Sequence, residues 1–334
     1  MTDALEPGRS CPLGYRYTAR VFDRAPEIEA ETLYLIGGLY GNREALTAIL
    51  AMADRETGPV TLVFNGDFHW FDVAATDFAA IDDEVARHVA IRGNVETEIA
   101  ANDEGAGCGC AYPDAVDDAV VERSNTIAAM LRETARGLPG RCAALGALPM
   151  HRVARVGDAR VAIVHGDAES LAGWGFAHDA LDDPERRPWL ARVFAEAGVD
   201  VFGCSHTCLP ALRAIAAADG RRGAVINNGA AGMPNLAQGR YGIISRIGTC
   251  AADGALYGMQ VAGTHVQALP VHYDEAAWLR RFEASWPPGS PAHASYHARI
   301  TRGCDHPLAL ARAPREAAAG GARTTERALN PESL

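Results

Sequence analysis

Ile91-Arg92-Gly93-Asn94-Val95-Glu96 closes an apolar run that begins at Val89, and its reading decides the fold of this 334-residue chain. Other segments share the form. Val60 to Phe64 leads into Asn65-Gly66-Asp67, Val161 to Val164 into His165-Gly166-Asp167, and Val199 to Phe202 into Ser205-His206-Thr207-Cys208. A short apolar run that ends on a polar residue reads as a buried strand delivering one side chain at its end. Such strand ends converge on one cleft. Asp67, Asn94, His165 and His206 then make an oxygen and nitrogen donor set for a divalent transition metal, and donor type alone does not separate Mn, Zn, Fe and Ni.

Between these segments the pattern alternates. Helical spacing runs over Arg43 to Ala53, Ala80 to Arg87 and Asp114 to Arg136, the last ended by Gly137-Leu138-Pro139-Gly140. Val153 to Val156 and Arg160 to Val164 predict a hairpin turning at Gly157-Asp158. Pro188 to Ala197 reads as a helix ahead of the strand that feeds His206. Tyr241 to Ile247, Ala255 to Val261 and Thr264 to Pro270 alternate as the edge of a second sheet would, and Glu275 to Arg299 reads as an appended helix with a Pro-rich turn. Strands alternating with helices predict an α/β domain whose site lies beyond the strand carboxyl ends.

The order and spacing of these segments resemble the calcineurin-like metallophosphoesterases, from about Thr32 to about Asp274. Gly38-Leu39-Tyr40-Gly41-Asn42 stands where that family has D-x-H-G-N, so its Asp is Gly38 here and its His is Tyr40. Gly66-Asp67 matches the G-D pair whose Asp bridges both metals. Gly93-Asn94-Val95-Glu96 matches G-N-H-D/E, with Val95 in place of the His that protonates the leaving group and Glu96 in place of the acid that orients it. His165 matches the lone second-metal His, and His206-Thr207-Cys208 matches H-x-H with Cys208 as its second member. Val271-His272-Tyr273-Asp274 resembles the closing V-x-Y-D.

The resemblance implies an α/β fold, a two-sheet β-sandwich flanked by helices in a four-layer αββα stack. It implies Asp67, Asn94, His165 and His206 as a complete second-metal set, with Cys208 a candidate soft ligand at the other. Three ligands of the first set are replaced and none of the second, which implies one ion rather than two. A single ion loses the second clamp unless cationic side chains substitute, and Arg92 and Arg43 are the candidates by sequence. His69, two residues after Asp67, is the candidate proton donor, with His178 behind it; an aromatic loop packed on the core is the other reading of His69.

Length and an apolar fraction of 48% allow one large core, and the segments divide as an N-terminal extension (1–31), the metallophosphoesterase-like domain (32–274), an appended helix and turn (275–310) and a flexible tail (311–334). Residues 97–140 read as an insertion or helical cap, with Cys108-Gly109-Cys110 in a Gly-rich lid. No run is long and apolar enough for a membrane span, and the acidic start carries no signal core, so a cytoplasmic protein with reduced thiols is expected. A net charge of −11 argues against nucleic acid as a partner. These readings leave three functions open: a phosphoesterase acting on a small phosphate mono- or diester by metal-activated water, a non-catalytic module binding a small phosphorylated ligand or a protein partner, and a zinc or redox site built on Cys208 and Cys204.

Overall fold

Residues 32–36, Thr-Leu-Tyr-Leu-Ile, are buried on both faces, with Leu33 and Leu35 facing one apolar layer and Tyr34 and Ile36 another. A strand projects alternate side chains to opposite sides, so this segment must sit between two layers. The computed structural model describes residues 6–101 and 105–312.

In chain order, β1 (Ile28–Ala30) and β2 (Thr32–Ile36) lead to α1 (Arg43–Ala53), β3 (Val60–Asn65), α2 (Ala75–Val85), β4 (Val89–Ile91) and α3 (Asn94–Ala100). Next come α4 (Asp118–Arg136), α5 (Pro139–Ala147), β5 (His151–Val156) and β6 (Ala159–Val164). They are followed by α6 (His178–Asp182), α7 (Arg187–Ala197), β7 (Val201–Cys204), β8 (Ala211–Ala216) and β9 (Arg222–Asn227). The remaining elements are β10 (Gly242–Gly248), β11 (Tyr257–Val261), β12 (Thr264–Val271), α8 (Glu275–Ser285), α9 (Pro291–Arg302) and α10 (Leu308–Ala311). One six-stranded sheet runs β1-β5-β6-β7-β9-β8 and the other β11-β12-β10-β2-β3-β4. Leu33, Leu35, Val63 and Ile91 meet Val161, Ile163, Val201 and Ile226 between the sheets. The outer faces are covered by helices: α1, α2 and α4 over one, α7 over the other. The fold is the four-layer sandwich that the sequence led us to expect.

Parallel pairing sets the site. β2, β3 and β4 are mutually parallel in one sheet, as are β6, β7 and β9 in the other, so their carboxyl ends open on one edge of the sandwich.

Several sequence expectations need correction. α2 begins at Ala75 rather than Ala80, and α4 begins at Asp118 because the Asp117 carboxylate accepts from the Ala119 amide and caps it. Gly137 to Gly140 ends α4 but Pro139 opens α5 at once, since a proline in a first helical turn forfeits no intrahelical bond. β10 lies inside its sheet, between β12 and β2, and of β10, β11 and β12 only β11 is an edge. The segment read as one appended helix is two, and Trp278, Phe282 and Trp286 bury against the core, with the Trp286 indole N–H donating to the Phe71 carbonyl at 2.8 Å. Within the expected extension, β1 pairs with β5, while residues 1–5 lie outside the described residues. Of the expected tail, residues 313–334 lie outside them too, and Ala311 is buried beneath Arg213, which donates to the Leu310 and Arg312 carbonyls at 2.7 and 2.9 Å. Residues 102–104 of the expected insertion are likewise outside the described residues.

Candidate metal centre

The turn after β3 is held by one buried carboxylate. Glu96, in the first turn of α3, accepts from the amides of Asp67 and Gly93 on Oε2, both at 2.8 Å, and from Phe68 and His69 on Oε1 at 3.0 and 3.3 Å. This staple fixes the Gly66-Asp67 turn, where Asp67 itself adopts φ +54°, against the start of α3. Glycine is required at 93, because a Cβ there would stand 2.4 Å from Asp67 Oδ1 and 2.9 Å from His165 Cε1. Burial and the neighbouring Asp67 push the Glu96 carboxyl up to about 6, so it is ionised at neutral pH.

Each prospective ligand is oriented by a group behind it. The His165 Nδ1–H donates to the Asn65 carbonyl at 3.0 Å, and the His206 Nε2–H donates to the Cys110 carbonyl at 3.0 Å. The outer nitrogen of each ring therefore carries the proton and the inner one carries a lone pair. Asn94 donates its amide to the Cys108 carbonyl at 2.9 Å, which turns Oδ1 inward. At the centre, His165 Nε2 lies 3.0 Å from Asn94 Oδ1, 3.1 Å from His206 Nδ1 and 3.3 Å from Asp67 Oδ1. Ligand atoms of Asp67, His165 and His206 all fall within 4.8 Å of one another. Acceptors that face one another repel unless a proton or a cation sits among them, so the donor set fits a divalent ion. Without one, burial and then the His165 charge push His206 down to about 3. Burial opposes charge on His165 and Asp67 as well, but their mutual attraction wins, raising the imidazole and lowering the carboxyl.

Tyr40 and Cys208, at two positions where the resembling family carries ligands, face each other. The Tyr40 hydroxyl lies 2.9 Å from Cys208 Sγ, and a Cβ at Gly38 would stand 3.0 Å from Tyr40 Cζ and 3.1 Å from its Oη. Tyr40 thus folds over the position where the resembling family carries its Asp. Burial raises both the Tyr40 hydroxyl and the Cys208 thiol, leaving both neutral at pH 7. Cys208, a candidate ligand by sequence, is outside the cluster of ligand atoms and is committed to Tyr40 and to the His206 carbonyl at 3.2 Å.

His69 does not reach the centre, against the expectation that it supplies a proton there. Its ring is fully buried beneath α2, 2.6 Å from Asp72 Oδ2 and stacked on Phe78 with centroids 3.8 Å apart. His178 packs on His306 instead. Arg43 pairs with Asp77 at the surface, and Arg92 donates to the Gly146 carbonyl, so neither lines the cleft. Cys204 Sγ is buried toward the Ile226 carbonyl; all eight cysteines are free thiols, and among the described residues none joins the metal-ligand cluster.

A cavity of about 850 Å³ opens from the centre, floored by Asp67, Asn94 and His206 and walled by Tyr40, Val95, Cys208 and Trp174. Its far side is made by α4, through Arg123, and by α9, through Tyr296, Arg299 and Arg302. Trp174 packs edge-on to His206 at 5.5 Å and donates to the same Cys110 carbonyl at 3.1 Å. Sequence reasoning missed Trp174, Tyr296 and Arg299, because nothing local announces that an appended helix folds back over a cleft formed by distant strand ends. Cys110 also lines the cavity; its loop forms a packed wall, with Cys108 completely buried.

No protein-family model matches the chain, and no curated protein does. Solved structures do. A hypothetical protein from Pyrococcus horikoshii OT3 superposes with TM-score 0.54 at 17% identity, over 82% of this chain and 99% of the other. A metallophosphoesterase from Sphaerobacter thermophilus gives TM-score 0.49 at 16% identity, over 81% and 99%. A protein serine/threonine phosphatase from Saccharomyces cerevisiae gives 0.37 at 14%, over 77% and 88%. The first of these is a likeness of fold. Among the described residues, no helix is long and apolar enough to cross a membrane.

Proposed function

We propose that this chain is a divergent calcineurin-like metallophosphoesterase that holds one divalent ion with Asp67, Asn94, His165 and His206 and hydrolyses a small phosphate mono- or diester in the adjoining cavity. One observation carries this reading: two imidazole lone pairs and an amide oxygen, each set by a carbonyl behind it, gather with a carboxylate held by a backbone amide. A divalent ion bound there would supply Lewis acidity toward a phosphoryl oxygen and lower the pKa of its water. The chain's own residues do the rest. Asp67 Oδ1 is steadied by the Val95 amide at 3.2 Å, and Trp174 lines one side of the cavity. Tyr40 holds a proton on its Oη at the cavity surface, beside Cys208. The net charge of −11 speaks against a nucleic acid as partner, and eight unpaired thiols support the reducing cytoplasm.

Hydrolysis of an aryl phosphate ester by the manganese-loaded full chain, set against His165→Ala, tests the proposal. Turnover by the wild type and its loss in the variant is the expected result; equal turnover in both would place the activity elsewhere.

Val95 favours a second reading. A buried aliphatic side chain stands where the resembling family has its proton-donating imidazole, and among the described residues His206 is the only imidazole lining the cavity. A module that binds a phosphorylated ligand needs no proton transfer. Ion uptake without turnover over a broad panel of esters would select it.

A further inference from the structure

Two-cation phosphoryl sites share the charge of the transferring group between both cations, and here Tyr40 and Cys208, at two positions where the resembling family carries ligands of one of them, bond to each other. A positive charge is still needed on that side if a phosphoryl group is to be held there. We propose that Arg299, from the appended helix α9, supplies it, binding phosphoryl oxygens next to the Tyr40–Cys208 pair; the proposal rests on the reading of the centre as a single-ion phosphoester site.

The geometry of Arg299 is that of a mounted group. Nε donates to the Pro234 carbonyl at 2.7 Å, and Nη2 donates to the Cys208 carbonyl at 2.7 Å and to Asn235 Oδ1 at 3.3 Å. Asn235 is itself buried and fixed by its own bonds to the Ala230 and Met233 carbonyls at 2.7 and 2.9 Å. The bonds of Arg299 occupy the donors of Nε and Nη2. Nη1 has no hydrogen-bond partner and the side chain no carboxylate partner among the described residues, although it lines the cavity of a chain with 42 acidic groups against 31 basic ones. A role confined to tying α9 to the loop at Pro234 would leave those remaining donors unused. A guanidinium anchored through Nε and Nη2, with both N–H donors of Nη1 left over, is a fixed positive charge that can donate to phosphoryl oxygens through Nη1. Arg123 is less suited, since only its Nε is fixed, by Ser295 Oγ at 2.7 Å.

The test is calorimetric titration of inorganic phosphate into the full chain, manganese-loaded and metal-free, for the wild type, Arg299→Gln and the surface control Arg43→Gln. Arg299→Gln should weaken phosphate binding at least tenfold in the loaded protein with manganese content unchanged, while Arg43→Gln stays within twofold of the wild type. Phosphate affinity in Arg299→Gln equal to the wild type, or no phosphate binding by the wild type, would overturn the assignment. Manganese content measured on the same samples reports separately on the single-ion reading, so the two can fail independently. If Arg299→Gln does not fold, the wild type still decides. Phenylglyoxal should modify Arg299 and inorganic phosphate should protect it, as read by peptide mass mapping; unprotected modification, or none in either state, contradicts the proposal.

Discussion

Replacing Glu96 by Gln removes one negative charge and puts an amide where two backbone amides now point. The carboxylate accepts from four backbone N–H groups, two on each oxygen. The Gln oxygen can keep one pair, and the Gln amide then faces the other two donors, which are buried with no alternative acceptor. A buried unsatisfied donor costs about 1–3 kcal/mol, so the loss should be roughly 2–6 kcal/mol. For a chain of 334 residues unfolding cooperatively, that corresponds to a fall in Tm of roughly 3–9 °C. Because the same carboxylate seats the Asp67 turn, affinity for manganese should fall about 10–100-fold, as it does when groups supporting a ligand are removed. Calorimetric unfolding and a manganese titration on wild type and Glu96→Gln measure both. A variant as stable as the wild type would refute the staple. A variant that loses stability but keeps full metal affinity would show that Glu96 anchors α3 without positioning Asp67.

Gly38→Ala should destabilise by about 1–2 kcal/mol, because residue 38 has φ +63° and the new methyl meets the Tyr40 ring, and adding Tyr40→Ala should relieve only the contact; chemical denaturation distinguishes the two contributions. The Asp72 carboxylate and its acidic neighbours raise buried His69 to about 9 even though burial alone would lower it. The folded value lies above the ordinary histidine value, so this ion pair stabilises fully below about pH 6.5 and its contribution disappears as pH rises through 9. His69→Gln should therefore lose up to about 3 kcal/mol at pH 6 and far less at pH 10, with metal content unaltered. An equal loss at both pH values would mean that His69 is neutral in the fold.

Much of the fold was legible because burial leaves a plain trace. β3, β4, β6 and β7 are apolar runs buried on both faces, and α1 carries its own cap in Asn42, whose side chain accepts from the Ala45 amide at 2.9 Å. Asp67, Asn94, His165 and His206 each follow such a strand, so their meeting at one edge follows from parallel pairing. β1 and β8 were not read: both are edge strands, β1 is three residues long and held by a partner far off in sequence, and β8 alternates buried and exposed residues in a hairpin with β9. His69 was misread because its position two residues from Asp67 says nothing about which way the ring turns, and a pairing with Asp72 beneath α2 decided it. Arg299 carries no local signal at all. Its place depends on how α9 docks against α4 and on where the Pro234 and Cys208 carbonyls lie.

Metal content is the measurement that bears most directly on the account. Full-length protein, saturated with manganese and freed of loose ions by gel filtration, should carry one ion per chain by inductively coupled plasma mass spectrometry, and His165→Ala and His206→Ala should carry none. Two ions per chain would contradict the single-ion reading, and none in the wild type would contradict the centre itself.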